Sequence, residues 1–214
     1  MDPQVIAAMK RWPNVPEVYG WLSLSATGHW RLHPRGTAWR CQADPMADLT
    51  ADDILGEAIT SPQITNFIKR NYTCDTAGRW FFQNGPQRVF IRLDAAPYLL
   101  QTDLDEHGRL HLRTHTGEPA GQVSEWWLDD QGRVFARTAI GPGMIAGRDL
   151  SAVIDVLHTP QGPLAEALAN LPDTDLPRHI LPWPAPDKGS PVALHHVTSP
   201  QLPAALGFVT CPQP

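Results

Sequence analysis

Cysteine is scarce in this chain, with three among 214 residues, Cys41, Cys74 and Cys211. Their odd number, wide spacing and lack of a C-x-x-C pair argue against a disulfide framework and against a cysteine zinc site. No strong excess of charge is present either. The formal net charge of −5 gives no electrostatic footprint for nucleic acid or an anionic membrane surface. No run approaches the roughly 20 apolar residues of a membrane span, and the first residues, MDPQVIAAMKRWP, lack a basic region followed by an apolar stretch. The expectation is a cytoplasmic protein with no membrane partner and no nucleic-acid partner.

Catalytic signatures are also missing. There is no G-x-S-x-G, no P-loop and no G-x-G-x-x-G opening a helix after a strand. Nothing calls for a cofactor, and the balance leans away from an enzyme.

What is present is an ordinary apolar content, 42%, with eight Trp and 22 Pro, enough to bury a core in one large or two small domains. Gln4 to Trp12 reads as a short helix. SPQITNFIKRNY from Ser61 is the clearest helix: Ser61 suits the N-cap, Pro62 the first position, and Ile64, Phe67 and Ile68 form one apolar stripe. Strand patterns cover Gly20–Leu24, His29–Leu32, Thr37–Gln42, Gly78–Gln83, Arg88–Leu93, Leu99–Leu104, Arg109–Thr114, Val123–Leu128 and Arg133–Ala139. Their shortness and turn-rich spacing suggest antiparallel meanders. Further helices are expected over Ala51–Glu57 with Thr50 as cap, over Arg148–Leu157 with Asp149 near its cap, and over Pro163–Asn170. Ten of the 22 Pro residues lie from Leu171 onward, among enough apolar side chains to suggest an extended arm packed on the body.

One phrase recurs four times: SATGHWRLH, DTAGRWFFQ, DEHGRLHLR and DDQGRVFAR. Asp or Ser at its start can bond nearby backbone N–H groups, and Gly supplies the positive φ of a bulged type I turn. The residue two after Gly (Trp30, Trp80, Leu110, Val134) then begins the inward-facing set. The phrase therefore reads as architecture, and the side chain of Arg79 is its open question.

The stretch ITSPQITNFIKRNYTCDTAGRWFFQNGPQRVFIRLDAAPYLL resembles the core of a bacterial domain-of-unknown-function family, the one numbered 1285 or a close sister of it. The shared features are Gly28 with Trp30, Ile59 with Pro62, Asp75 to Trp80, Val89 to Leu93, and Asp94 with Pro97 and Tyr98. This chain adds the segment Pro34 to Gly56 and the Pro-rich arm. The resemblance implies two small α+β subdomains and a ligand-binding or signalling role without established catalytic residues.

The candidate site residues are polar. Gln83, Asn84, Gln87 and Arg88 in FQNGPQR form a rim able to hydrogen-bond a small ligand, with Arg79 nearby in sequence. In DEHGRLHLRTHTGE, His111, Arg113 and His115 share one face of a strand. His111 and His115 would lie about 13 Å apart, too far to share a metal. Arg148 follows the glycine-bearing stretch GPGMIAG, where a loop and helix start could receive a phosphate. Trp126 and Trp127 must face opposite sides of their strand, one in a core and one either covered by the arm or exposed.

The expected fold is α+β: antiparallel, hairpin-rich sheets with a few helices, in subdomains 1–95 and 96–170 followed by the Pro-rich arm 171–214. The expected function is a non-enzymatic ligand-binding or regulatory module with a small-molecule pocket between the subdomains. Its site is drawn from Gln83, Asn84, Gln87, Arg88, Arg79, His111, Arg113 and Arg148, with no metal. The alternatives are a protein-interaction or structural module using exposed Trp strands or the Pro-rich arm, with a homodimer or another protein as partner, and, behind it, a metal-assisted hydrolase.

Overall fold

The computed structural model describes residues 1–38, 54–104, 106–107, 110–172, 175–183 and 190–214. Most of the expected strand over Thr37–Gln42, the Thr50 cap with the first residues of its helix, and most of the third copy of the repeated turn lie outside the described residues. The chain is α+β and divides into two units. The first comprises Met1–Pro97 and Gly207–Pro214, the second Tyr98–Leu206.

In the first unit, α1 (Pro3–Arg11) and α2 (Pro62–Arg70) each carry Pro at the first turn, where a missing N–H costs nothing. Lys10, Arg11, Lys69 and Arg70 occupy the last turns, complementing the helix dipoles. Ser61 has the extended backbone of an N-cap, but its side chain makes no capping hydrogen bond. Of the expected apolar stripe, Ile68 is buried and Phe67 meets Phe82 edge-on at 5.4 Å, whereas Ile64 is exposed. Asp2 ties the two helices together. Its carboxylate pairs with Arg70 at 3.1 Å and its backbone N–H donates to Oδ1 of the buried Asn71 at 2.8 Å.

Six strands form this unit's sheet: β1 (Val18–Leu24), β2 (Trp30–Leu32), β3 (Glu57–Ala58), β4 (Tyr72–Cys74), β5 (Trp80–Asn84) and β6 (Gln87–Leu93), in the order β3-β2-β1-β6-β5-β4. All neighbours are antiparallel except β1 and β6, which run parallel with Leu22 opposite Ile91 and Leu24 opposite Leu93. β6 lies inside the sheet, so Val89, Phe90, Ile91 and Leu93 are all buried despite pointing to alternate faces. Trp30, Tyr72 and Trp80 form an aromatic cluster, with ring separations of 5.2 and 4.8 Å, and the Tyr72 hydroxyl donates to the Pro97 carbonyl.

The second unit holds a seven-stranded sheet of β7 (Tyr98–Leu104), β8 (Leu110–Thr114), β9 (Val123–Asp129), β10 (Val134–Thr138), β11 (Gly141–Ile145), β14 (His179–Ile180) and β15 (Val192–Val197), in the order β14-β15-β9-β10-β11-β7-β8. β12 (His158–Thr159) and β13 (Gly162–Pro163) pair separately. Its helices are α3 (Leu150–Val156), entered through a 3-10 turn at Gly147–Asp149, α4 (Leu164–Asn170) and α5 (Leu202–Leu206). Two parallel joins, β11 with β7 and β15 with β9, interrupt the antiparallel pairing. GPGMIAG, expected as a flexible loop, is largely strand β11. Gly143 is needed there because a Cβ would stand 2.7 Å from Cγ of the buried Leu100.

The Pro-rich segment supplies β14, β15 and α5 to this unit. It also covers the paired tryptophans: Trp183 meets Trp126 edge-on at 6.4 Å, and His195 stacks on Trp127 at 4.0 Å. Both tryptophans are buried, so neither offers the exposed strand face that a Trp-based interaction surface requires. Among the described residues no helix is long and apolar enough to cross a membrane.

Candidate functional site

The repeated turn explains its own residues. In DTAGR, Asp75 Oδ1 accepts the N–H groups of Ala77 and Arg79, both at 3.0 Å, and Asp75 Oδ2 takes the Arg79 Nε at 2.8 Å. In DDQGR, Asp129 does the same with Gln131, Arg133 and the Arg133 Nε, at 3.0, 2.8 and 2.7 Å. Gly28, Gly78 and Gly132 all have positive φ, 83°, 74° and 73°. Trp30, Trp80 and Val134 are buried as the inward starts of their outgoing strands. The arginine thus belongs to the turn: it folds back on the aspartate that also holds the backbone. Burial would raise the Asp75 carboxyl, but hydrogen bonds from the Arg79 N–H, its guanidinium and the Ala77 N–H outweigh it and hold the group below the usual carboxylate range.

Arg79 reaches further. Its Nη1 donates to the Tyr19 hydroxyl at 3.3 Å and its guanidinium lies over the Phe90 ring at 4.7 Å, while Tyr19 stacks on the same Phe90. Tyr19 in turn donates to Glu17 Oε2 at 2.7 Å. Glu17 Oε1 receives Arg88 Nη1 at a long 3.4 Å. A single polar chain, Asp75–Arg79–Tyr19–Glu17–Arg88, therefore joins two arginines that the sequence offered as separate candidates. Burial, and next the bond to Glu17, raise the Tyr19 phenol above its ordinary value.

This chain ends in a cavity of about 390 Å³ on the first unit. Its apolar wall is Met9, Trp12, Pro13, Val15 and Pro86, from the end of α1, the loop after it and the β5–β6 turn. Its polar members are Glu17, Gln83 and Arg88. The hairpin geometry places the last two: Gln83 pairs with Arg88 and Asn84 with Gln87 across the antiparallel ladder. Gln83 is 1% exposed. Its Nε2 donates to the Gly85 carbonyl at 2.9 Å, which settles the amide orientation because a carbonyl can only accept. Its Oε1 is buried and has no hydrogen-bond partner among the described residues. Arg88 lies over the Phe81 ring at 5.0 Å, which holds its guanidinium in place. Gln87 donates to the Pro16 carbonyl at 3.1 Å and so secures the loop that forms one wall, and Asn84 is exposed at the hairpin end.

The other sequence candidates lie in the second unit and do not converge. Arg113 pairs with Asp103 at 2.7 Å on the β7–β8 hairpin, and His111 stands opposite Asp103 in that register. His115 turns inward, its Nδ1 accepting the Leu99 N–H at 3.2 Å. Arg148 is mostly exposed with Nε 3.5 Å from Asp149. Asp149 places its own carboxylate at the helix start, taking the Thr102 N–H and hydroxyl at 3.3 and 3.1 Å. Among the described residues no group of three His, Cys, Asp or Glu side chains is arranged to hold a metal.

A second cavity, about 480 Å³, is bordered by Asp129, Asp130, His196 and Gln201 in the second unit. Its carboxylates are engaged: Asp129 by Arg133, and Asp130 by the backbone N–H and hydroxyl of Ser199. Of these two cavities, the first joins its charged side chains, Glu17 and Arg88, by a long contact of 3.4 Å. Sequence reasoning reached Gln83 and Arg88 through the polar hairpin. It missed Glu17, Tyr19 and Trp12, which stand some 70 positions away in the chain and carry no motif.

Two solved structures are similar to this chain. A DUF1285 family protein from Silicibacter pomeroyi DSS-3 shares 15% identity with a TM-score of 0.46, covering 74% of this chain and 86% of that one. A DUF1285 family protein from Shewanella baltica OS155 shares 15% identity with a TM-score of 0.42, covering 63% and 91%. A search of curated proteins gave no significant match. Both neighbours carry the family number that the sequence resembles. The sequence model of a family described as "Protein of unknown function (DUF2946)" matches residues 1–213, and the chain belongs to that family.

Proposed function

We propose that this protein is a non-enzymatic small-molecule-binding module whose ligand sits in the cavity framed by Trp12, Gln83 and Arg88. The supporting observation is the cavity's lining, an apolar wall of Met9, Trp12, Pro13, Val15 and Pro86 beside the polar groups of Glu17, Gln83 and Arg88. The volume lies at the small end of ligand pockets, which run from about 300 to 1,000 Å³. Of the lining side chains only Glu17 is a carboxylate, and both its oxygens are already engaged by Tyr19 and Arg88. Such a site suits holding a molecule more than converting it.

A regulatory role is supported by the polar chain that leaves the pocket. Arg79, one step from its far end at Asp75, forms a parallel bridge with Val209, whose N–H donates to the Gly78 carbonyl at 2.9 Å. A ligand drawing Arg88 from Glu17 would change the hold on Tyr19, and through Arg79 the hold on the C-terminal segment.

The test is a metabolite screen by thermal shift, followed by ¹H–¹⁵N NMR on the Trp12 indole and Gln83 amide signals, with Gln83→Met as the variant. Met keeps the approximate shape of Gln but removes both its acceptor and the donor to the Gly85 carbonyl, so the variant should stay folded, at a modest cost in stability, while losing the hits. If every stabilising compound acts equally on Gln83→Met, or none stabilises the natural chain, this cavity is not the binding site.

A further inference from the structure

The ladder between β5 and β6 stops short of both strands. Their pairing runs from Asn84 opposite Gln87 to Phe81 opposite Phe90, yet β5 begins at Trp80 and β6 continues to Leu93. The C-terminal segment fills the gap. Arg79 and Val209 form a parallel bridge, and the Val209 N–H donates to the Gly78 carbonyl at 2.9 Å. One residue on, the Thr210 carbonyl accepts the Leu93 N–H at 2.7 Å. Successive residues of an extended chain direct their backbone groups to opposite sides, so Val209 and Thr210 lie as a short added strand between β5 and β6. Phe208, 4% exposed, anchors it.

A single residue joins this strand to the chain before it. Up to Leu206 the backbone belongs to the second unit, where Arg137 donates to the carbonyls of Ala205 and Leu206 at 3.1 and 3.2 Å. From Gly207 onward it belongs to the first unit. Gly207 is exposed, has a φ of 77°, and a Cβ there would meet nothing within 4 Å. We propose that the gap is a strand-addition site whose partner is a second copy of this chain: two copies exchange the segment from Gly207 onward, each filling the other's gap, with Gly207 as the hinge. The two hydrogen bonds and the burial of Phe208 are the same whichever copy supplies them, so the closed and exchanged forms differ only in the hinge and in the entropy of association. In the closed form the segment competes at an effective concentration on the order of mM, and exchange sets in at protein concentrations of that order. Alanine at position 207 penalises the left-handed backbone of the closed form, whereas an extended hinge escapes the penalty. One such residue shifts the equilibrium about tenfold, and a dimer relieves two hinges, about a hundredfold in all.

The full chain and its Gly207→Ala variant are refolded from urea at about 10 μM to about 1 mM protein, so that no barrier to exchange persists, and are sized by light scattering. The natural chain should dimerise only toward the upper concentration, and Gly207→Ala at about a hundredfold lower. In an equal mixture of ¹⁵N-labelled and unlabelled Gly207→Ala, the Val209 amide of one copy should show an isotope-filtered NOE to the Gly78 Hα of the other. The Leu93 amide should stay protected from hydrogen exchange, because the gap remains filled. The natural chain at about 1 mM carries the same NOE test independently of the variant. Adding Phe208→Ala to Gly207→Ala removes the anchor from both forms and should return the protein to monomer. If Gly207→Ala dimerises no more readily than the natural chain, exchange through this hinge is wrong. A dimer whose Val209–Gly78 contact stays within each copy, or whose Leu93 amide has lost protection, overturns it equally.

Discussion

Gly78 and Gly132 sit at the same position of the same turn with nearly the same φ, 74° and 73°, yet their surroundings differ. A Cβ on Gly132 would meet nothing within 4 Å, whereas one on Gly78 would stand 2.4 Å from the carbonyl oxygen of Gly207. Replacing each by alanine separates two effects that usually come mixed. At Gly132 only the left-handed backbone is penalised, by about 1–2 kcal/mol. At Gly78 the same penalty applies, and the C-terminal segment must also retreat by roughly 0.9 Å to reach an ordinary carbon–oxygen separation of about 3.3 Å. That retreat strains two backbone hydrogen bonds, from Val209 N–H to Gly78 at 2.9 Å and from Leu93 N–H to Thr210 at 2.7 Å, each worth about 1 kcal/mol. It also loosens Phe208, which is buried. Gly78→Ala should therefore cost about 3–5 kcal/mol, some 2–3 more than Gly132→Ala. Native-state hydrogen exchange reports each unit separately and gives the comparison directly, and in Gly78→Ala the Val209 and Leu93 amides should lose protection first. Equal costs within about 0.5 kcal/mol, with Val209 still protected, would refute the close approach of the C-terminal segment.

Asp75 makes the turn sensitive to acid. Its folded carboxyl titrates below the unfolded value of about 3.9, so its stabilising effect is complete above about pH 4 and disappears as pH falls through the depressed folded value. Asp75→Asn should be destabilised at pH 7, and the gap from the natural chain should close in acid, as read from urea midpoints at the two pH values. A gap independent of pH would mean that the carboxylate charge is irrelevant. Gly143→Ala should cost about 1–3 kcal/mol by overpacking against Leu100, and Leu100→Ala about 2–5 by leaving a cavity. Combined, they should cost clearly less than their sum in a double-mutant cycle by denaturant titration, because each relieves the other, and simple additivity would contradict the close approach.

How much of this was legible in advance depends on how local each signal is. The helix at Pro62–Arg70 and the strands from Trp80 to Thr138 are visible because caps, turns and apolar spacing act within a few residues. The Asp-x-x-Gly turn is visible for the same reason, and even its arginine has a local partner four positions back. The strands beyond residue 171 are hidden because Pro crowds the segment, and because VALHHV lacks the clean alternation of a half-buried strand. The candidate site was half visible. Gln83 and Arg88 lie in one short hairpin, whereas Glu17 and Tyr19 reach them only because β1 and β6 pair in parallel.

By itself, then, the sequence determined where the chain turns, which residues start each outgoing strand, and that the fold would be α+β with little charge or sulfur chemistry. Those properties follow from backbone sterics and from side chains acting on their own neighbours. Only the tertiary structure decided that three strand pairs among the described residues run parallel, that residues of the Pro-rich segment cover both Trp126 and Trp127, and that the C-terminal segment closes on Gly78. It alone decided that Arg79 belongs to a turn while Arg88 faces a cavity. Long-range pairing is set by which apolar surfaces can be buried together, a property of the whole chain that no short stretch contains.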